Sequence, residues 1–426
     1  MKRYPAYKDS GVEWIGEIPV NWSKKKLKFF SRIVLGKMLT TEDKGGYFYK
    51  PYLRAQNINW FNVNSGDIKE MWFSENELSQ YRINKDDLLV SEGGEVGRTC
   101  MWNNEIGECY IQNSVHKVTV NGDNFPRFFQ YSFFALGSIG HFDAIVSRVS
   151  IAHLTREKLK EVSFIVPDKQ QQSIIVSFLD HKASQIDDLI DKKQKLIDLL
   201  KEERTAIINQ AVTKGLDPTV PMKDSGIEWL GEIPEHWFVE RLKFLVDNII
   251  EKSNTSGFKV ALENIESWTG RYLKTESPSE LTGEMKSFKP NDVLFNKLRP
   301  YLAKVYLSEV EGECVGELLV LRPKANINPK FLYYRLLSCD FIEVVNSSTY
   351  GAKMPRASWE DFIRNLSIPY PDILEQEMIV ESIEKMSVTI ADTTAKFEHE
   401  IELISEYKTS LINEVVTGKI DISDAN

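Results

Sequence analysis

The sequence predicts an α+β fold in which two mixed α/β bodies are joined by two long helices, with a pseudo-two-fold built into one chain. Three observations carry that prediction. Lys8-Asp9-Ser10-Gly11-Val12-Glu13-Trp14-Ile15-Gly16-Glu17-Ile18-Pro19 returns 215 positions later as Lys223-Asp224-Ser225-Gly226-Ile227-Glu228-Trp229-Leu230-Gly231-Glu232-Ile233-Pro234, and 14 of the 24 positions from Tyr7 to Phe30 match the second copy. Solenoid units run to only ~20–50 residues, so this period marks a duplicated domain. Residues 170–213 and 372–417 contain neither Gly nor Pro. Each carries an apolar stripe at heptad spacing, and the two stripes keep a constant offset of 204.

Composition agrees and narrows the function. The chain has 426 residues, which predicts about 2–3 domains. It is 42% hydrophobic and 27% charged, as a water-facing globular protein is. No apolar run approaches the ~20 residues that span a membrane, and the first residues lack the apolar stretch of a secretion signal. Cys100, Cys109, Cys314 and Cys339 show no C-x-x-C spacing, so neither a zinc site nor a disulfide framework is indicated. A reduced, cytoplasmic protein is expected. The net charge of −9 is concentrated in residues 371–421, with 12 acids against 4 bases, while the rest is close to neutral. The bodies are therefore free to carry local basic patches.

Taken in order, residues 1–22 read as a loop-like connector anchored by Trp14 and Trp22. Residues 24–167 alternate short β-rich runs with Gly/Asn turns, and one aromatic-rich helical stretch covers 126–136. The first long helix follows, with Leu179, Ile186, Leu200 and Ile207 in one heptad position and Lys193 as the exception. Lys214-Gly215-Leu216-Asp217-Pro218 ends it, with glycine as C-cap and proline beyond. The second half replays this order, closing on Ile383, Ile390, Phe397, Ile404 and Leu411. The predicted boundaries are 1–167 for the first connector and body, 168–221 for the first helix and linker, 222–370 for the second connector and body, and 371–426 for the second helix and tail.

Enzyme readings fail one by one. Gly36-Lys37-Met38 and Gly418-Lys419-Ile420 lack the rest of a phosphate loop, and Gly93-Gly94-Glu95-Val96-Gly97 lacks G-x-G-x-x-G spacing and reads as a turn. Pro167-Asp168 with Asp180-His181-Lys182 formally resembles a nuclease core, but it sits at the start of a helix and its duplicate loses the lysine. With six His, none at ligand spacing, no metal site is expected. The carboxylates Glu13, Glu17, Glu228 and Glu232 of the repeat have no catalytic partners, which makes it a connector that locks each body to the helices. What remains is binding chemistry. Arg and Lys suit guanine edges and phosphates, and Asn and Gln suit adenine. In the first body the candidates are Arg54, Gln56, Asn57, Arg98 and Arg148; in the second, Lys297, Arg299, Lys304, Lys353 and Arg356. Any one of these read alone is a solvated loop residue, so the case rests on the architecture.

The doubled K-D-S-G-x-E-W-x-G-E-I-P-x-x-W segment and the two helix entries, Val166-Pro167-Asp168-Lys169-Gln170-Gln171-Gln172 and Ile368-Pro369-Tyr370-Pro371-Asp372-Ile373-Leu374-Glu375-Gln376, resemble the specificity (S) subunit of type I restriction-modification systems over essentially the full length. The first entry has Gln171-Gln172 where Glu-Gln is usual. The resemblance implies that each body is a target-recognition domain reading half of a bipartite double-stranded DNA sequence. It implies that the long helices pair as an antiparallel coiled coil that spaces the halves. It further implies two modification (methyltransferase) subunits that bring S-adenosylmethionine, restriction/translocase subunits that bring ATP and Mg, and no catalytic centre or cofactor in this chain. The alternative is a coiled-coil scaffold whose two bodies bind proteins or other ligands without DNA; a stand-alone nuclease comes third.

Overall fold

A computed structural model describes residues 2–12, 15–146, 153–252, 258–274, 285–351 and 353–423. Contacts divide the chain into one unit of Met1–Lys192 with His399–Asn426 and a second of Lys193–Glu398. Each unit is assembled from the same pieces, and each combines part of one long helix with part of the other.

The connector is a hairpin, which corrects the loop-like expectation. Tyr7–Asp9 pairs antiparallel with Glu17–Pro19, and Met222–Asp224 pairs antiparallel with Glu232–Pro234. The Asp-Ser-Gly pattern makes the turn. The carboxylate of Asp9 accepts the Gly11 N–H, and that of Asp224 accepts the Gly226 N–H, both at 2.9 Å. Trp22 and Trp237, each 1% exposed, anchor the two copies in the cores of their units. Glu13 and Trp14 lie outside the described residues.

The first body holds a four-stranded antiparallel sheet in the order Ser31–Leu35, Val115–Val120, Leu88–Ser91, Thr99–Met101. The second body repeats it as Val246–Ile249, Leu318–Pro323, Val293–Asn296, Val305–Leu307. An aromatic-rich helix, Pro126–Ser138 or Pro329–Leu337, covers each sheet, and proline in its first turn gives up an N–H that had no helical partner. Each body also has a three-stranded sheet, and here the two differ. In the first, Phe48–Leu53 is central, between Lys69–Phe73 and Tyr110–Ile111. In the second, Gly312–Val315 is central, between Phe258–Val260 and Met285–Phe288.

The long helices run over Lys169–Lys214 and Ile373–Val416, as their unbroken apolar periodicity predicts. Asp168 and Asp372 start them by accepting the N–H of Gln171 (2.8 Å) and Glu375 (3.0 Å). In the first unit Asp187 pairs with Lys408 at 2.6 Å, while Ile175 and Leu179 share a core with Leu411, Ile412, Val415 and Val416. Rising numbers on one segment meet falling numbers on the other, so the two segments are antiparallel. In the second unit Ile208, Ala211 and Val212 share a core with Ile379, Val380 and Ile383, and the Lys193 ammonium lies 4.9 Å from the Phe397 ring centre. That contact accounts for the break in the apolar stripe. Leu179, Ile186, Ile383, Ile390 and Leu411 are buried, and Leu200, Ile207, Phe397 and Ile404 are half-buried.

The tail after the second helix closes the first unit. Gly418 stands at φ +72°, and a Cβ there would sit 2.5 Å from the Pro19 ring and 3.1 Å from Trp22. The Lys419 ammonium donates to the carbonyls of Ile15 and Glu17, both at 2.7 Å. Gly215, at φ +77°, lies beside Trp237 and Pro234 in the second unit. Each connector is thus held by the end of a long helix, the first of them across some four hundred residues of sequence.

Candidate nucleic-acid interface

Each body is fixed to the helix that follows it by a buried glutamine. The side-chain carbonyl of Gln172 accepts the Phe125 N–H (2.9 Å), and its amide donates to the carbonyl of Pro167 (3.0 Å). Gln376 repeats this with the Asn328 N–H (2.7 Å) and the carbonyl of Pro371 (2.9 Å). Beside them, Trp22 donates its indole N–H to Gln171 and Trp237 donates to Glu375. The Gln-Gln departure in the first helix entry therefore keeps the hydrogen bond and loses only the charge.

On that mount each body presents the same turn. Ala55–Asn57 and Leu262–Asn264 are single 3₁₀ turns. Asn57 accepts the Arg54 N–H (3.0 Å) and donates to the carbonyls of Asn64 and Asp67; Asn264 accepts the Ala261 N–H (2.9 Å) and donates to the carbonyl of Leu273. Asn57 is 1% exposed, so its amide is engaged in shaping the turn. A long cation reaches the first residue of each turn from the neighbouring strand. Arg98 donates to the carbonyl of Ala55 (3.1 Å), and Lys304 donates to that of Leu262 (2.6 Å). Burial lowers the Lys304 ammonium below the ordinary lysine range.

The side chains on this shared frame differ between the bodies. The first carries Arg54 and Gln56 where the second carries Ala261 and Glu263. Arg54 and Gln56 both reach the Asp67 carboxylate, at 2.9 and 3.1 Å. Hydrogen bonds from Lys69 and then Arg54 hold that carboxyl below its usual range. Arg98 also pairs with Glu95 at 3.3 Å. Arg148 lies outside the described residues.

The other second-body candidates share one loop cluster. Arg299 donates its N–H to the carbonyl of Pro355 (2.7 Å), Lys297 accepts the Ala357 N–H (2.9 Å), and Arg356 pairs with Glu317. Arg299, Lys353 and Arg356 are exposed and Lys297 is half-buried. Tyr301, Tyr350 and Met354, which the sequence did not single out, stand in the same cluster at 47%, 62% and 59% exposure. The Asn-Ile step shared by Asn57-Ile58 and Asn264-Ile265 was the one signal for the paired turns.

The nuclease reading gains nothing from this geometry. Asp168 is a helix cap, and one oxygen of Asp180 accepts from both Arg127 (2.9 Å) and Tyr131 (2.6 Å). In the duplicate, Glu384 pairs with Lys330 at 2.6 Å, so these carboxylates tie each body helix to its long helix.

Residues 19–201 match the family model of the type I restriction modification DNA specificity domain. The type I restriction enzyme EcoDI specificity subunit of Escherichia coli is 20% identical over 404 residues, 89% of this chain and 84% of that subunit. The putative type I restriction enzyme MjaX specificity subunit of Methanocaldococcus jannaschii is 23% identical, covering 96% of each. A chain from a solved type I R-M system aligns over 95% of this chain and 99% of its own length, with a TM-score of 0.66 and 14% identity. The HsdS subunit from Thermoanaerobacter tengcongensis aligns over 95% and 98%, with a TM-score of 0.52 and 14% identity, a likeness of fold. With the specificity domain matched over residues 19–201 and relatives aligned along nearly the whole length, the chain is similar to the DNA specificity subunits of type I restriction-modification systems.

Proposed function

We propose that each body of this non-catalytic specificity subunit reads one half of a bipartite double-stranded DNA target. The first recognition domain lies within 1–167 and the second within 222–370. The long-helix stretches 168–221 and 371–426 set the spacing of the half-sites and dock two modification subunits. Those subunits supply S-adenosylmethionine, restriction/translocase subunits supply ATP and Mg, and the assembly works in the cytoplasm. The observation that carries the reading is the paired turn. One backbone frame, capped by Asn57 or Asn264, displays Arg54 and Gln56 in one body and Ala261 and Glu263 in the other. A common frame with unlike side chains suits two unlike half-sites. We assign Arg54, Gln56, Arg98 and Arg148 to the first half-site and Lys297, Arg299, Lys353 and Arg356 to the second. Asn57 and Lys304 shape the turns.

A salt titration of DNA binding tests this against the scaffold alternative. With the chain assembled on its modification subunits, log affinity should fall linearly with log salt, by about 0.9 for each phosphate neutralised. Arg356→Ala should reduce that slope by roughly 1. A scaffold with no role for DNA would show no such slope.

A further inference from the structure

The second body holds a backbone that its own residues do not favour. Between the strands Val293–Asn296 and Val305–Leu307, Arg299 stands at φ +52° and Ala303 at φ +44°. The first body makes the corresponding turn, between Leu88–Ser91 and Thr99–Met101, with Gly94 at φ +73° and Gly97 at φ +82°. Glycine adopts that conformation freely, whereas a Cβ collides with its own backbone. A left-handed residue leans on the turn in each body alike: Trp268, at φ +64°, donates its N–H to the Ala303 carbonyl at 3.0 Å, and Phe61, at φ +68°, donates its N–H to the Thr99 carbonyl at 3.2 Å. Such residues persist where the surrounding structure over-determines them, and they gather at ligand clamps.

What the turn carries is Tyr301. Pro300 before it is buried, and Tyr301 itself is 47% exposed. Tyr350 and Met354 add two more exposed side chains, and backbone bridges from Arg356 to Leu298 and Tyr350 join their segment to that of the exposed Arg299, Lys353 and Arg356, the last of them paired with Glu317. Exposed aromatics on segments that also carry cations match a duplex, whose bases are apolar faces between two lines of phosphates. In the first body the same loop reads Gly93-Gly94-Glu95-Val96, with Val96 buried at 5% exposure and no aromatic to present.

We infer that Tyr301 is a wedge, pre-set on a strained turn, that unstacks a base step in the half-site held by the second body. The inference rests on the reading of that body as DNA-binding. Rigidity is the purpose of the strain: an aromatic already fixed in its inserting posture loses little freedom on binding. The unstacking is confined to one half-site, because the glycine turn of the first body has nothing to insert.

The test uses the chain assembled with its modification subunits on a duplex bearing its methylated motif, with 2-aminopurine placed in turn along both half-sites. Apart from the methylated positions, whose bases the modification subunits flip out of the stack in both half-sites, wild type should raise the fluorescence at one step of one half-site. Tyr301→Phe should keep the signal, and Tyr301→Ala should abolish it, bind roughly ten-fold more weakly and keep the salt slope. If the alanine variant matched wild type in signal and affinity while binding stayed salt-dependent, the wedge would be overturned and the DNA reading would stand. If wild type showed no salt-dependent binding, the DNA reading would fail and the wedge with it.

Discussion

Asp340→Ala is expected to destabilise the second unit by about 3–5 kcal/mol, because it strands a buried charge. Arg335 is fully buried, and its guanidinium grips Asp340 with two bonds of 2.7 and 2.8 Å. The same carboxylate accepts the hydroxyl of Ser338 (2.6 Å) and the N–H of Phe341 (2.7 Å). The guanidinium also lies 5.4 Å from the ring centre of Trp229, in the second connector. Removing Asp340 thus leaves the cation without its counter-ion and loosens the contact between connector and body. Denaturant unfolding of wild type and variant measures the loss. Replacing both partners, as Arg335→Met with Asp340→Leu, should cost much less than the single change, since no unpaired charge remains. A single-variant loss below ~1 kcal/mol would show that the pair is not sequestered as described.

The first unit should lose stability in mild acid through His116. Its ring is buried in the four-stranded sheet, with Nε2 2.6 Å from the Leu154 carbonyl. Burial, helped by Arg156, pushes its pKa from 6.5 down to about 4, against the pull of that carbonyl. The unfolded chain therefore takes up the proton at a higher pH than the folded one. Stability from this residue is complete above pH 6.5 and falls as the pH drops toward 4. The fall from 6.5 to about 4 corresponds to about 3 kcal/mol across that window. Unfolding free energies between pH 7 and 4 should show the decline in wild type. His116→Asn, which does not titrate there, should start less stable and decline less. Equal slopes in the two proteins would contradict the assignment.

Much of the frame was legible because it depends on local pattern. Forty-odd residues free of Gly and Pro with a heptad stripe leave few alternatives to a long helix, and Pro126 with its aromatic run marked the body helix. The hidden parts are long-range or lie in sequence that has drifted. Nothing local says that Gly418 and Lys419 close onto Ile15 and Glu17, or that Arg335 is interior rather than one more surface charge. The recognition frame was obscured because Arg54-Ala55-Gln56-Asn57 and Ala261-Leu262-Glu263-Asn264 share only the capping asparagine, although their backbones coincide in form. Polarity alone also marked Asn57 as a base reader, when hydrogen bonds to its own loop engage it. Lys193 looked like a flaw in the stripe until Phe397 supplied its partner.

If two unlike bodies read two unlike half-sites, each half of the methylated motif depends on its own body. Single-molecule sequencing of methylation across the host genome tests it most directly, with the assembled wild-type system beside an Arg299→Ala, Arg356→Ala variant. A bipartite wild-type motif of fixed spacing is expected, with the variant motif relaxed or lost in one half while the other half and the spacing stay the same. A variant motif unchanged in both halves, or changed equally in both, would contradict it.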